Sequence, residues 1–125
     1  MKQSLTTEKA PKALGPYSQA VIVSGTLYVS GQLPIDPETS GIAGSDIKSQ
    51  TRQVLINIKN IVENAQYSMN DIAKVNVYMK NIDDFDEFNK VYSEFFTPPY
   101  PARAVVEVSA ILKGALIEAD VIAAK

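Results

Sequence analysis

Residues 46–80 read DIKSQTRQVLINIKNIVENAQYSMNDIAKVNVYMK, and the change of rhythm inside this stretch decides the fold. In its first part Ile47, Val54, Leu55, Ile58, Ile61, Val62 and Ala65 recur at helical spacing. Lys48, Arg52, Gln53, Lys59, Asn60 and Glu63 fall elsewhere around the wheel. Ser45 is placed to cap the predicted helix over 46–66, and Asp46 suits its positive end. From residue 72 the period becomes two. Val75, Val77 and Met79 point one way, and Lys74, Asn76 and Tyr78 point the other, as in a half-buried strand over 72–80.

Upstream, Ala20–Val23 and Leu27–Ser30 are β-rich runs separated by Ser24-Gly25-Thr26. They predict a hairpin in which Gly25 supplies the positive φ such a turn often needs. Pro34 to Gly44 carries two prolines and two glycines and reads as a loop. Downstream, a second helix is predicted over 84–96. Asp84 and Glu87 have capping-box spacing, and Phe85, Phe88, Tyr92, Phe95 and Phe96 form the apolar side. Thr97-Pro98-Pro99-Tyr100-Pro101 cannot be helical, because proline lacks an N–H and restricts its predecessor.

Two strands close the chain, over 102–109 and 115–124, with Lys113-Gly114 in the turn between them. The order β-β-α-β-α-β-β indicates an α+β sandwich, one domain spanning 1–125, with both helices on one face of the sheet. The other face, carrying Val23, Val29, Val105 or Val106 according to which set points outward, is left uncovered. An open apolar face of several hundred Å² is unusual in a monomer, so self-association is expected.

Composition removes several kinds of chemistry. The chain has no Cys, hence no disulfide, thiolate nucleophile or sulfur-bound metal, and no His, hence no Ser-His-Asp chemistry. Acid–base work falls to Asp, Glu, Lys, Tyr or a bound water. No calcium-loop pattern of alternating Asp and Asn occurs. Twelve basic and 14 acidic residues give a net charge of −2, with nothing to favour nucleic acid or a membrane surface. No apolar run approaches the roughly 18 residues of a spanning helix. No apolar stretch follows Met1-Lys2-Gln3-Ser4, so a cytoplasmic protein is expected.

A few residues can carry chemistry. Arg103, at the start of a strand, can hold a carboxylate through two parallel hydrogen bonds, or it is a surface arginine paired with a nearby acid. Glu118 lies in the otherwise apolar run Ala115-Leu116-Ile117-Glu118-Ala119-Asp120-Val121-Ile122. Desolvation there makes it a better proton acceptor, unless that face is simply wet at a strand edge. Tyr17 can donate a hydrogen bond or merely pack. Gly31, in Ser30-Gly31-Gln32, allows a ligand to approach the backbone, or serves a bulge. Asn89 falls between core positions of the second helix and reads equally as a satisfied polar residue.

Together these segments resemble one family over nearly the whole chain. Gly15-Pro16-Tyr17-Ser18-Gln19-Ala20, Ser30-Gly31-Gln32-Leu33-Pro34, Gln53-Val54-Leu55-Ile56-Asn57-Ile58 and Asn89…Tyr92…Phe95-Phe96 occur in order. Pro101-Ala102-Arg103-Ala104-Val105-Val106-Glu107-Val108 follows, with Ile117-Glu118 completing the set fifteen residues after the arginine. The pattern is similar to the RidA/YjgF family of 2-iminobutanoate/2-iminopropanoate deaminases.

The resemblance implies a chorismate-mutase-like fold with a mixed, mostly antiparallel sheet, and a homotrimer with active sites in clefts between subunits. It also implies hydrolysis of 2-imino acids to 2-keto acids and ammonia without cofactor or metal. Carried over, Arg103 clamps the substrate carboxylate, Glu118 orients or deprotonates water, and Tyr17 helps position the substrate. Ser30 and Gly31 lie against the ligand and Asn89 lines the entrance. Val105 stands among the binding residues where many members carry Cys. Ile111-Leu112 replaces the usual Leu-Pro, and the stretch before Pro101 is short.

Three other functions compete. They are a non-catalytic trimer that binds or senses small carboxylates such as 2-keto acids, an RNA-binding or RNA-cleaving protein, and a holdase acting through apolar surface. Retention of both Arg103 and Glu118 favours the enzyme, since a carboxylate sensor needs only the arginine. The acidic balance disfavours RNA.

Overall fold

The computed structural model describes residues 1–125. A short strand that the sequence does not announce, β1 (Gln3–Leu5), comes first; three residues are too few for a period to register. The hairpin β2 (Ala20–Val23) and β3 (Thr26–Gln32) follows, with Ser24 and Gly25 both at positive φ in its turn. Helix α1 (Ile47–Asn64) is capped by Asp46 rather than Ser45: the Asp46 carboxylate accepts from the Ser49 amide at 3.2 Å. The remaining elements are β4 (Ile72–Met79), α2 (Phe85–Tyr92), β5 (Ala102–Glu107) and β6 (Ile117–Ala124).

Helix α2 begins after a 3₁₀ turn at Ile82–Asp84 and is shorter than the predicted 84–96. The capping box expected of Asp84 and Glu87 does not form. Asp84 makes no side-chain cap, and the entry is held instead by Asn81, whose side chain accepts from the Asp83 amide at 2.9 Å. Glu87 is engaged outward by Lys48 and Lys90.

The six strands form one sheet in the order β1-β2-β3-β6-β4-β5. Every neighbouring pair is antiparallel except β4–β5, which is parallel and needs the crossover that α2 supplies. The last strand of the chain is therefore threaded into the middle of the sheet, between β3 and β4. Ile117, Ala119, Val121 and Ala123 point to the helices, where they are buried with Val54, Ile58, Ile61 and Val62 of α1 and Val75, Val77 and Met79 of β4. Each large aliphatic side chain buried this way contributes about 1.5–3 kcal/mol. No helix is long and apolar enough to cross a membrane.

The opposite face of the sheet carries no helix, and its composition corrects the expectation of an apolar surface. Val29 (4% exposed) and Val105 belong to the helix side; of the four valines considered, Val23 and Val106 point outward. With them stand Tyr28, Lys74, Asn76, Tyr78, Glu118, Asp120 and Ile122, so the bare face mixes apolar, aromatic and charged groups.

Candidate active site

Arg103 pairs in register with Val75, which turns its side chain to the helix-covered face beneath α2. There its Nη1 donates to Asn89 Oδ1 at 2.8 Å. The guanidinium carbon lies 4.6 Å from the centre of the Tyr92 ring, with the Phe85 and Phe88 rings at 5.5 and 5.6 Å. Such aromatic faces favour a cation electrostatically. The ion pairs of the chain are Lys48–Glu87, Lys90–Glu87 and Arg52–Glu94, so no acid neutralises Arg103. The reading of Arg103 as a plain surface ion pair therefore fails.

A cavity of about 490 Å³ opens onto this guanidinium, lined by Asn89, Tyr92, Ser93, Tyr100, Pro101 and Arg103. An uncompensated, partly buried guanidinium facing a cavity is suited to a planar carboxylate. Tyr92, read from the sequence as an apolar residue and as part of a motif, borders the same space. Its hydroxyl has no partner, and burial pushes it above the ordinary phenol range. Only the amphipathic nature of tyrosine could have signalled this. Val105 shares the face of Arg103 but packs toward the core.

Glu118 takes the other face. On β6 it stands opposite Tyr78. Its carboxylate rests against the backbone of Gly31, so closely that a Cβ at position 31 would overlap Glu118 Oε2. A side chain at position 31 would displace the Glu118 carboxylate from this place. Burial first, and the charge of Asp120 second, hold the Glu118 carboxyl above the usual carboxylate range. Asp120 itself is tied down, accepting from Asn76 Nδ2 at 2.8 Å and from the Tyr78 hydroxyl at 3.0 Å.

Ser30 serves the loop beside Glu118. Its hydroxyl donates to the Ser18 carbonyl at 2.6 Å and its amide to the Gln19 carbonyl at 2.9 Å. Gln19, buried and passed over in the sequence except as part of a motif, accepts from the Thr7 amide at 2.8 Å and donates to the Pro11 carbonyl at 2.8 Å. These bonds fasten the segment from which Tyr17 projects, 53% exposed, into a groove shared with Leu14, Gly31 and Leu112. No cluster of three or more Asp or Glu side chains is placed to hold a metal ion.

The residues singled out from the sequence therefore fall into two groups. Arg103 and Asn89 form a cationic half on the covered face. Glu118, Gly31, Ser30 and Tyr17 form an anionic half around the bare face and its end. Within one chain the sheet stands between them.

A family model described as endoribonuclease L-PSP matches residues 7–125, and the solved structure of RidA from an Antarctic Psychrobacter superposes with a TM-score of 0.95 at 46% identity, covering 98% of this chain and 99% of that one. The chain belongs to the RidA family. A RutC family protein of Pyrococcus horikoshii is 54% identical over 125 residues, covering 100% of this chain and 99% of that protein. A Salmonella typhimurium protein named 2-iminobutanoate/2-iminopropanoate deaminase is 41% identical over 128 residues, covering 100% and 99%. The crystal structure of Escherichia coli TdcF with bound serine matches with a TM-score of 0.93 at 37% identity, covering 98% of each chain. The α+β fold expected from the resemblance is the RidA fold observed.

Proposed function

We propose that this RidA protein hydrolyses reactive 2-imino and enamine acids, such as 2-iminobutanoate and 2-iminopropanoate, to 2-keto acids and ammonia, as a homotrimer with its sites between subunits. One observation carries the reading. An unneutralised guanidinium and a desolvated carboxylate lie on opposite faces of one sheet, so each lacks its complement until a second copy supplies it. The Salmonella relative's name supports the reaction, and the serine held by TdcF supports a small ligand bearing a carboxylate.

In the proposed site Arg103, steadied by Asn89, clamps the substrate carboxylate. Glu118 of the adjoining copy faces the imine carbon across the cleft, with Tyr17 and the Gly31 backbone beside it. Water adds to that carbon while Glu118 takes its proton. That proton passes to nitrogen to give a carbinolamine. Glu118 then takes the hydroxyl proton and delivers it to the same nitrogen as the C–N bond breaks, so that ammonia leaves and the carbonyl of the 2-keto acid forms. General-base assistance of this kind is worth about 10²–10⁴-fold.

The test is a stopped-flow assay of 2-iminopropanoate generated in situ. Arg103→Ala should lower kcat/KM by about 10³-fold, in keeping with the cost of removing one partner of a desolvated charge pair, while sedimentation still shows a trimer. Near-normal kcat/KM would remove the proposed role.

A second reading, a trimer that binds small carboxylates without turnover, is favoured by the bound serine of TdcF. It predicts ligand binding in the wild type with no imine hydrolysis above the buffer rate. The endoribonuclease description of the family model names a third activity. A net charge of −2 gives a phosphate backbone little to hold.

A further inference from the structure

We propose that Asp120 is a positioning residue for Glu118: clamped by Asn76 and Tyr78, it keeps a fixed negative charge two positions along the same strand face and so governs how readily Glu118 accepts a proton. The inference rests on the reading of Glu118 as the general base and adds the device that tunes it.

Three features of the sheet converge on this assignment. First, β6 alternates strictly, so Glu118 and Asp120 share the bare face while Ile117, Ala119 and Val121 are buried on the other. Second, the antiparallel register sets Asn76 opposite Asp120 and Tyr78 opposite Glu118. One donor from each β4 position reaches Asp120, at 2.8 Å to Oδ1 and 3.0 Å to Oδ2, so both carboxylate oxygens are occupied by donors. Third, Glu118 has no hydrogen-bond donor or cation of its own within the chain and rests against the uncharged backbone of Gly31.

Both Asp120 oxygens are held by donors, so its carboxylate is fixed in place, and its charge opposes a second negative charge on Glu118, which has no donor. The other groups facing the pair do not reverse this. From β4 come Tyr78, whose hydroxyl is already directed at Asp120, and Lys74, which stands opposite Ile122, two positions beyond Asn76. From β3 come Tyr28 and Ser30, and from β5 only Ala102, Ala104 and Val106; Lys12, Tyr17 and Lys113 line the groove on Gly31, and neither lysine pairs with Glu118. The directions agree: Asp120 raises Glu118, and burial with Asp120 and Glu118 raises Tyr78, which stays a neutral donor.

The experiment is a pH titration of Glu118 by side-chain carboxyl NMR in the full-length protein, labelled with ¹³C glutamate, for wild type, Asp120→Asn and Tyr78→Phe. The pH profile of kcat/KM for 2-iminopropanoate is measured alongside. Asp120→Asn should lower the Glu118 midpoint by about one pH unit, the size of a neighbouring charge effect at a half-buried site. The acid limb of the pH profile should move down with it. Tyr78→Phe, which leaves the charge but removes one donor, should move the midpoint the same way by less, because Asp120, then held by Asn76 alone, is less firmly fixed beside Glu118. A folded Asp120→Asn protein with an unmoved Glu118 midpoint overturns the assignment; should that variant not fold, an unmoved midpoint in Tyr78→Phe overturns it equally. A midpoint that moves in a protein without imine hydrolysis supports the assignment and refutes the deaminase reading instead.

Discussion

The two faces of the sheet handle charge in opposite ways. On the helix-covered face a cation is kept without a counterion: Arg103 is offered one amide oxygen, from Asn89, and three aromatic rings. On the bare face anions are kept, one of them satisfied by two donors and the other, Glu118, left bare of partners. Arg103 and Glu118 lie on opposite faces, two strands and three register positions apart, so they do not neutralise each other within the chain, and both stay free of an internal counterion. This separation also makes a second copy of the chain part of the proposed chemistry, as a symmetric assembly allows.

This division can be broken most severely at Glu118. Glu118→Gln preserves shape and removes the proton acceptor, so kcat should fall by about 10²–10⁴-fold. Affinity for a 2-keto acid, measured calorimetrically, should stay within a few-fold, because the proposed carboxylate clamp, Arg103, lies on the other face. Equal loss of binding and turnover would show Glu118 to be structural.

A mixing experiment asks directly whether the halves come from different copies. Unfolding and refolding Arg103→Ala and Glu118→Gln together should restore activity at about a quarter of the wild-type sites under random assembly, since one junction in four then joins an intact arginine to an intact glutamate. Mixed protein as inactive as each parent would mean that both groups serve the same copy.

The smallest effect concerns stability. The folded-state pKa of Glu118 lies above its unfolded value, so between the two values the folded protein binds more protons and stability falls as pH rises. Glu118→Gln should therefore raise Tm at pH 7, where the charged form is penalised. That gain should vanish at pH values below the ordinary carboxylate range, where Glu118 is protonated in both states. A gain independent of pH would place its origin in packing rather than in desolvation.

Much of the architecture is legible from residue spacing because burial imposes it locally. A helix that hides one side must repeat its apolar residues every three or four positions, and a half-buried strand every two. That is why α1, β4, the β2–β3 hairpin and the order of the later elements follow from the chain, and why the period of two puts Glu118 and Asp120 on one face of their strand. Local hydrogen-bonding choices are less determined. Ser45 and Asp46 both suit a helix cap, and Asp84 with Glu87 has the spacing of a capping box that the 3₁₀ turn at Ile82–Asp84 displaces. Chemistry-bearing types were also visible singly, but Tyr92, Asn76 and Tyr78 look like ordinary members of a helix and a strand until their partners are known.

Spacing along the chain thus determined which elements form, which residues each strand places together, and which side chains are capable of acid–base or anion-binding work. Only the tertiary structure decided that the Arg103 set and the Glu118 set lie on opposite sides of the sheet. Alternation relates residues within one strand, but the relation between strands depends on direction and register. Here β4 runs parallel to β5 and antiparallel to β6, aligning Arg103 with buried Val75 and Glu118 with outward Tyr78. A shift of one residue in either ladder would exchange the faces, and nothing short of the packed sheet fixes that choice.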